Sequence, residues 1–479
     1  MRTEKDILGE LDVPKDALYG IHSLRARKNF PSESIFHLEW YEALATVKLA
    51  CYQSVIAYRK AAGDSFPGAD LPDSLPSDAV LDAMCHVAGE ASRGAFFPDF
   101  IVPAFQGGAG TSINMNVNEI IANAANIRLG GKPGDHHLVD PFMHANVFQS
   151  TNDVVPTALR VSAILLFRGL EGAINRLRSS VESIEGDSRS HLRMAYTEMQ
   201  RAVPSSYGML FSAYSEALSR DWWRVSRCQE RLKLVNLGGG AAGTGIAVPR
   251  FFIMDAVARL QQLTLLPLAR SENLADATQN LDSLVEVHAI LKALAVNLEK
   301  MSADLRLLAS GLAGQPEVVL PAVQAGSSIM PGKVNPVIPE YVISVAHKVY
   351  SNDLLIGGLC GQGSLDLNPY LPMIGHALLE SIKLLKGACD TLAGQLFHAL
   401  KVNEGTAYQN LLKSPTLSTA LIPLVGYREA GRIARLMQEK GVGIVEANNE
   451  LKLVDPGKMK EVLLPENLLK LGYSLKDMH

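Results

Sequence analysis

Residues Asp282 to Ser310 read DSLVEVHAILKALAVNLEKMSADLRLLAS. Leu284, Val287, Leu291, Leu294, Leu298, Met301, Leu305 and Leu308 recur alternately three and four apart. That is a heptad seam, the spacing that keeps one stripe of an α-helix facing a neighbour. It predicts a single helix from about Asp282 to Ser310, about 40 Å long at 1.5 Å per residue. A stripe of that length has to be buried against other long helices, in the same chain or in another copy.

Working outward, the next informative stretch is Gln324 to Glu340, QAGSSIMPGKVNPVIPE. Gly326 and Gly332 permit backbone conformations that other residues avoid. Pro331 and Pro336 interrupt regular helix. The result is a polar, bendable loop between apolar segments, with a hydroxyl pair at one end and a cation at the other. A serine near an ammonium group and surrounded by backbone N–H groups loses its proton more readily than a free hydroxyl. Lys333 and the loop amides can also hold a carboxylate as negative charge builds on it. An ordinary surface loop is the competing reading.

Composition bounds the rest. The chain has 479 residues, enough for two or three domains. It is 47% hydrophobic and 20% charged, with a net charge of −4, which gives no basic footprint for nucleic acid. No apolar run reaches the ~20 residues that span a bilayer. The first residues, MRTEKDILGELDVPKD, lack an apolar signal core. Cys51, Cys85, Cys228, Cys360 and Cys389 are odd in number and widely spaced, which suits free thiols in a reducing cytoplasm.

The segment GSSIMPGKVNP (Gly326 to Pro336) resembles the signature of the aspartase/fumarase superfamily. The resemblance covers nearly the whole chain. Tyr19-Gly20-Ile21-His22 and Arg25-Ala26 resemble the N-terminal pattern of aspartases rather than fumarases. His22 reads as a structural group more than a site residue. Asp276 to Asn280 also resembles the aspartase version of its region. The resemblance implies an all-α chain of three domains, 1–147, 148–402 and 403–479, with a central bundle of long helices at a tetrameric core. It implies a cytoplasmic homotetramer with active sites built from three chains. No organic cofactor, metal, nucleic acid or membrane is implied.

Phe105 to Ala125, FQGGAGTSINMNVNEIIANAA, opens with a glycine turn. A dinucleotide loop is excluded because no strand–helix–strand alternation surrounds it. By the resemblance Thr111 and Asn114 line a substrate pocket, with a helix-capping Thr as the plain alternative. Gln149 to Asp153 is a polar run before a helix opened by Pro156, suited to anion binding at its N-terminus. Ser150, Thr151 and Asn152 match the family's contacts to the substrate carboxylate and leaving group. The glycine loop Leu237 to Thr244 resembles a pocket wall.

Two places depart from the family. Asp140 to Met143 stands where relatives carry a His-Pro-Asn-Asp tetrad tied to a second anion site, so that site is expected to be lost. His136 and His137 are adjacent, a poor spacing for metal ligands. In Thr197 to Pro204, TEMQRAVP, Glu198 occupies the usual His or Gln position and Arg201 the usual Asp. His191 is seven positions upstream. Read as two helical turns, about 10 Å, that is too far to replace the missing His.

The implied chemistry is elimination of a group β to a carboxylate, releasing fumarate from L-aspartate. By the match Ser327 is the base, the loop amides with Ser328 and Thr151 hold the enediolate-like dianion, and Lys333 and Asn335 grip the other carboxylate beside Thr197. Glu340 aligns with the partner of the family's pocket His. If Glu198 and Glu340 lie close, one of them has a raised pKa. Hydroxide must be protonated to leave, whereas ammonium leaves without an acid. Glu198 therefore disfavours hydratase chemistry more than ammonia-lyase chemistry. The alternatives are a lyase for an N-substituted aspartate, a fumarate hydratase, or a catalytically silent paralogue.

Overall fold

The computed structural model describes residues 1–67, 75–313 and 315–475. Most of the Pro/Ser/Asp-rich linker expected from Pro67 to Asp78, residues 68–74, lies outside the described residues. Helix dominates. The long helices are Leu38–Ser65, Thr151–Asp187, Tyr207–Ser226, Asp282–Leu308, Val337–Cys360 and Leu371–Thr391. The described strands form four two-stranded pairs, so the chain is all-α in class. Among the described residues no helix is long and apolar enough to cross a membrane.

The seam helix starts at Asp282 and ends at Leu308, two residues short of the expected end. Leu284, Val287, Leu291, Leu294, Leu298, Met301 and Leu305 are buried, and Leu308 is half-buried. An apolar stripe at heptad spacing was sufficient to define this element.

The chain forms two compact units. One comprises Met1–Glu171, Arg224–Lys292 and Lys348–Leu384, the other Gly172–Trp223, Ala293–His347 and Leu385–His479. In the first unit the helix Thr111–Arg128 is buried from Ser112 to Asn126. A helix buried all round carries polar residues at low cost where they are paired. Asn116 accepts the Ile101 N–H at 2.8 Å. Asn123 accepts the Gly134 N–H at 2.7 Å. Asn126 accepts the Val139 N–H at 2.9 Å. Glu119 accepts the backbone N–H groups of Gly20, His22 and Ser23 and the Ser23 hydroxyl, capping the helix Ile21–Asn29. Burial pushes its carboxyl up to about 7 against those donors. His22 thus meets the buried carboxylate through its backbone.

The helix expected to open at Pro156 begins at Thr151, and Pro156 sits inside it. Proline removes the N–H that the Asn152 carbonyl would receive. Asn236 Nδ2 supplies the missing donor to that carbonyl at 2.8 Å.

In the second unit, Leu192–Thr197 and Gln200–Ser206 form an antiparallel hairpin in which Thr197 faces Gln200. Residues 191–198 are therefore mostly extended, which corrects the helical spacing assumed for His191. Seven extended residues span roughly 23 Å. The His191 ring faces Glu404 at 3.5 Å. The residues after 403 gather around a core of Leu411, Leu417, Leu421, Ile433, Met437 and Ile444, to which the hairpin adds Leu192 and Met194.

Candidate active site

The sequence-predicted residues fall into two sets, one in each unit. In the first unit, Gly108 and Gly110 take left-handed φ of 86° and 92° and turn the chain into the helix that starts at Thr111. A Cβ on Gly110 would come within 3.2 Å of Val155 Cγ1. Thr111 is exposed at this helix start, and Asn114, one turn on, is buried.

Asn114 Nδ2 donates to Thr151 Oγ1 at 3.2 Å and to Asn146 Oδ1 at 3.0 Å. Asn118 Nδ2 donates to the same Asn146 oxygen at 3.1 Å. Asn146 Nδ2 in turn donates to the Gln149 carbonyl at 3.1 Å. Asn114 and Thr151, named from separate motifs, are thus brought into direct contact. Asn114 Oδ1 is buried and has no hydrogen-bond partner among the described residues.

Ser150, Thr151 and Asn152 begin the long helix Thr151–Asp187. Ser150 Oγ accepts the Asn152 N–H at 3.3 Å, and Asp153 accepts the Ser150 N–H at 3.0 Å. The glycine loop closes on this turn. Gly240 N–H donates to Asp153 Oδ2 at 3.0 Å, and Asn152 Nδ2 donates to the Ala241 carbonyl at 2.8 Å. Gly243 has φ of 76°, and a Cβ there would fall 2.2 Å from the Ala275 nitrogen, so glycine is required.

Behind this turn lies a charge that motif reading missed. Lys48 is fully buried on the helix Leu38–Ser65, and its Nζ donates to Gln149 Oε1 at 3.0 Å. Burial lowers its ammonium to about 7, against the pull of Cys51 and Asp153. Burial pushes Asp153 up to about 7, against the N–H groups of Ser150 and Gly240 and the charge of Lys48. The available signal was one lysine in the apolar run ALATVKLACY.

In the second unit the loop Gln324 to Asn335 is held by its own backbone. Gly326 N–H donates to the Lys333 carbonyl at 2.8 Å. Asn335 Nδ2 donates to the Gly326 carbonyl at 2.8 Å. A Cβ on Gly326 would fall 2.6 Å from the Lys333 oxygen. Ser327 Oγ accepts two backbone N–H groups, from Ile329 at 3.2 Å and Met330 at 3.0 Å. Donors aimed at a hydroxyl oxygen stabilise its alkoxide more than its neutral form. Ser328 is half-buried, and Lys333 is exposed.

Glu340 lies in the first turn of the helix Val337–Cys360 and faces Arg306 at 3.5 Å. Thr197 ends a strand, and Glu198 and Met199 form the exposed hairpin tip with φ of 52° and 60°. At the site of the missing tetrad, Asp140 Oδ1 accepts the N–H groups of Phe142 and Met143 at 2.8 and 2.7 Å. That carboxylate is committed to its own turn. Among the described residues no group of three or more His, Cys, Asp or Glu is arranged to hold a metal ion.

The family model described as "Lyase" matches residues 9–351, and the one described as "Fumarase C C-terminus" matches residues 417–470. The chain is 39% identical over 472 residues to the aspartate ammonia-lyase of Pseudomonas canavaninivorans, covering 98% of this chain and 97% of that protein. It is 35% identical over 480 residues to the aspartate ammonia-lyase of Escherichia coli K12, covering 99% and 98%. The crystal structure of a fumarate lyase:delta crystallin from Brucella melitensis bound to cobalt superposes with a TM-score of 0.89 at 36% identity, covering 98% of each chain. A class II fumarase from Schistosoma mansoni superposes with a TM-score of 0.87 at 27% identity, covering 97% of this chain and 98% of that one.

Proposed function

The chain is a carbon–nitrogen lyase of the aspartase/fumarase family, and on that premise we propose that it reversibly eliminates ammonia from L-aspartate to give fumarate. The observation that carries the mechanism is the pair of N–H groups donated to Ser327 Oγ. Ser327 takes a proton from the carbon next to the distal carboxylate. That carboxylate becomes an enediolate-like dianion, held by loop amides with Ser328 and Thr151. The electrons then form the carbon–carbon double bond as the C–N bond breaks, and the ammonium nitrogen leaves as ammonia with the bonding pair. Lys333 and the second amide hydrogen of Asn335 grip the other carboxylate, with Thr111 and Thr197 beside it. In this reading Ser150, Thr151 and Asn152 come from another copy of the chain in a homotetramer.

The leaving group is cationic in the ground state, which suits two features. Asn114 Oδ1 is a buried acceptor without a partner among the described residues. Glu198 places a carboxylate on an exposed tip where a substrate cation would be attracted. The same exposed position supports a second reading, a lyase for an N-substituted aspartate, because an exposed tip leaves room for a substituent.

The test is absorbance by fumarate with L-aspartate, N-substituted aspartates and L-malate offered in parallel. Fumarate from L-aspartate supports the first reading and preference for a substituted amine the second. Product from malate alone would overturn both. A Glu198→Gln variant with undiminished deamination would remove the carboxylate from the scheme.

A further inference from the structure

We propose that Lys48, Gln149 and Asp153 are positioning residues that set the orientation of the Ser150–Asn152 turn. The inference rests on the reading of that turn as a substrate contact. Lys48 is fully buried between Val47 and the buried Ala50, Cys51 and Tyr52 of its own helix. Taking an ammonium group out of water is costly, and an unbranched apolar side chain such as methionine, one atom shorter, would be buried there at less cost. The titratable groups that face it are Cys51, kept a neutral thiol by burial, and Asp153.

The geometry gives the lysine a task. Its ammonium holds Gln149 Oε1 at 3.0 Å, while Gln149 Nε2 donates to the carbonyls of Ala145 and Val147, both at 3.3 Å. Both polar atoms of the Gln149 side chain are therefore engaged, the nitrogen on one backbone bend and the oxygen on the Lys48 ammonium. The Gln149 carbonyl receives Asn146 Nδ2, Asn146 Oδ1 receives Asn114 Nδ2, and Asn114 Nδ2 also holds Thr151 Oγ1. On the other side Asp153 ties the Ser150 N–H to the Gly240 N–H. A cation on one helix and a carboxylate on another thus clamp the turn from both sides. A hydroxyl displaced by about 1 Å loses most of the advantage of orientation.

Four variants of the full-length chain decide the matter: Lys48→Met, Gln149→Met, the double variant Lys48→Met/Asp153→Asn, and Thr151→Ala. For each, kcat and KM for L-aspartate are measured beside the thermal midpoint. Lys48→Met leaves a buried carboxylate uncompensated and lowers both stability and activity. The double variant removes that charge and regains part of the midpoint, because one of the two N–H groups held by the Asp153 oxygens then faces an amide nitrogen. It stays about tenfold or more below wild type in kcat/KM, mostly through KM, because the hold on Gln149 is gone and one of the Asp153 ties is lost with it. Gln149→Met shows the same loss of kcat/KM with the charge pair intact. If the double variant regains activity along with its midpoint, Lys48 serves folding alone and the proposal fails. It also fails if Gln149→Met keeps kcat/KM within about twofold of wild type. Should Thr151→Ala be fully active, the fault lies in the reading of the turn as a substrate contact.

Discussion

The amides around Asn114 and the loop around Ser327 treat polar groups in opposite ways. In the first region Asn114, Asn118, Asn146, Gln149 and Asp153 are hydrogen-bonded side chain to side chain or side chain to backbone, largely away from water. In the second, Ser327 and Asn335 are held by backbone groups of their own loop, and Ile329, Met330 and Val334 are exposed. A buried network fixes groups that must not move, but any loss there leaves an orphaned donor or acceptor. A loop closed on itself can be altered with little effect on the rest of the fold. Stability and activity should therefore be coupled in one region and separable in the other.

The largest effect should come from the Ser327 hydroxyl, the proposed base. Ser327→Ala removes the proposed base and is expected to lower kcat by about 10²–10⁴-fold. The thermal midpoint should stay near wild type, because the lost contacts are two N–H groups that water can satisfy. A variant with wild-type kcat would end the assignment of Ser327. A variant that loses its midpoint as well would erase the contrast between the regions.

Asn114→Leu tests the other side. It strips the donor from Thr151 Oγ1 and one donor from Asn146 Oδ1, so destabilisation of about 1–3 kcal/mol is expected by denaturant melting. Deamination should fall in the same variant. Loss of activity without loss of stability would show that the network is no more tightly coupled than the loop.

A middle case is Gly326→Ala. The new methyl would sit 2.6 Å from the Lys333 carbonyl, so the loop must open and Ser327 must shift. A fall in kcat/KM of about tenfold, with the melting curve little changed, is the expected result. Full activity would mean that the Gly326–Lys333 closure has no part in holding the hydroxyl.

The same contrast explains what could be read in advance. The helix Asp282–Leu308 was legible because its signal is local and periodic. The glycine turn before Thr111 and the bend at Gly326 were legible because glycine and proline mark them directly. The hairpin Leu192–Ser206 was not, since its turn is Glu198-Met199 rather than a pair such as Asn-Gly. Nor was the full burial of Lys48. A lone lysine in an apolar helix ordinarily runs its charge out to water, and only the approach of Gln149, 101 positions away, shows otherwise. The rescue of the Asn152 carbonyl by Asn236 is likewise a non-local event, invisible at Pro156 itself.

The smallest expected effect concerns the exposed tip. Glu198 and Met199 both take left-handed φ, which costs an L-residue roughly 1–2 kcal/mol. Met199→Gly relieves that strain at one position, offset in part by the greater freedom glycine has when unfolded. A gain of about 0.5–1 kcal/mol in denaturant melting should remain. Backbone strain kept on a functional segment restricts the conformers that segment can visit. Glycine widens that range, so Glu198 should be held less well and kcat/KM for the amine substrate should drop by about threefold. Higher stability with lower activity would mark the tip as an exposed element that nonetheless behaves like the buried network, with its geometry enforced. Higher stability with unchanged activity would place it with the Ser327 loop, where form and fold are independent.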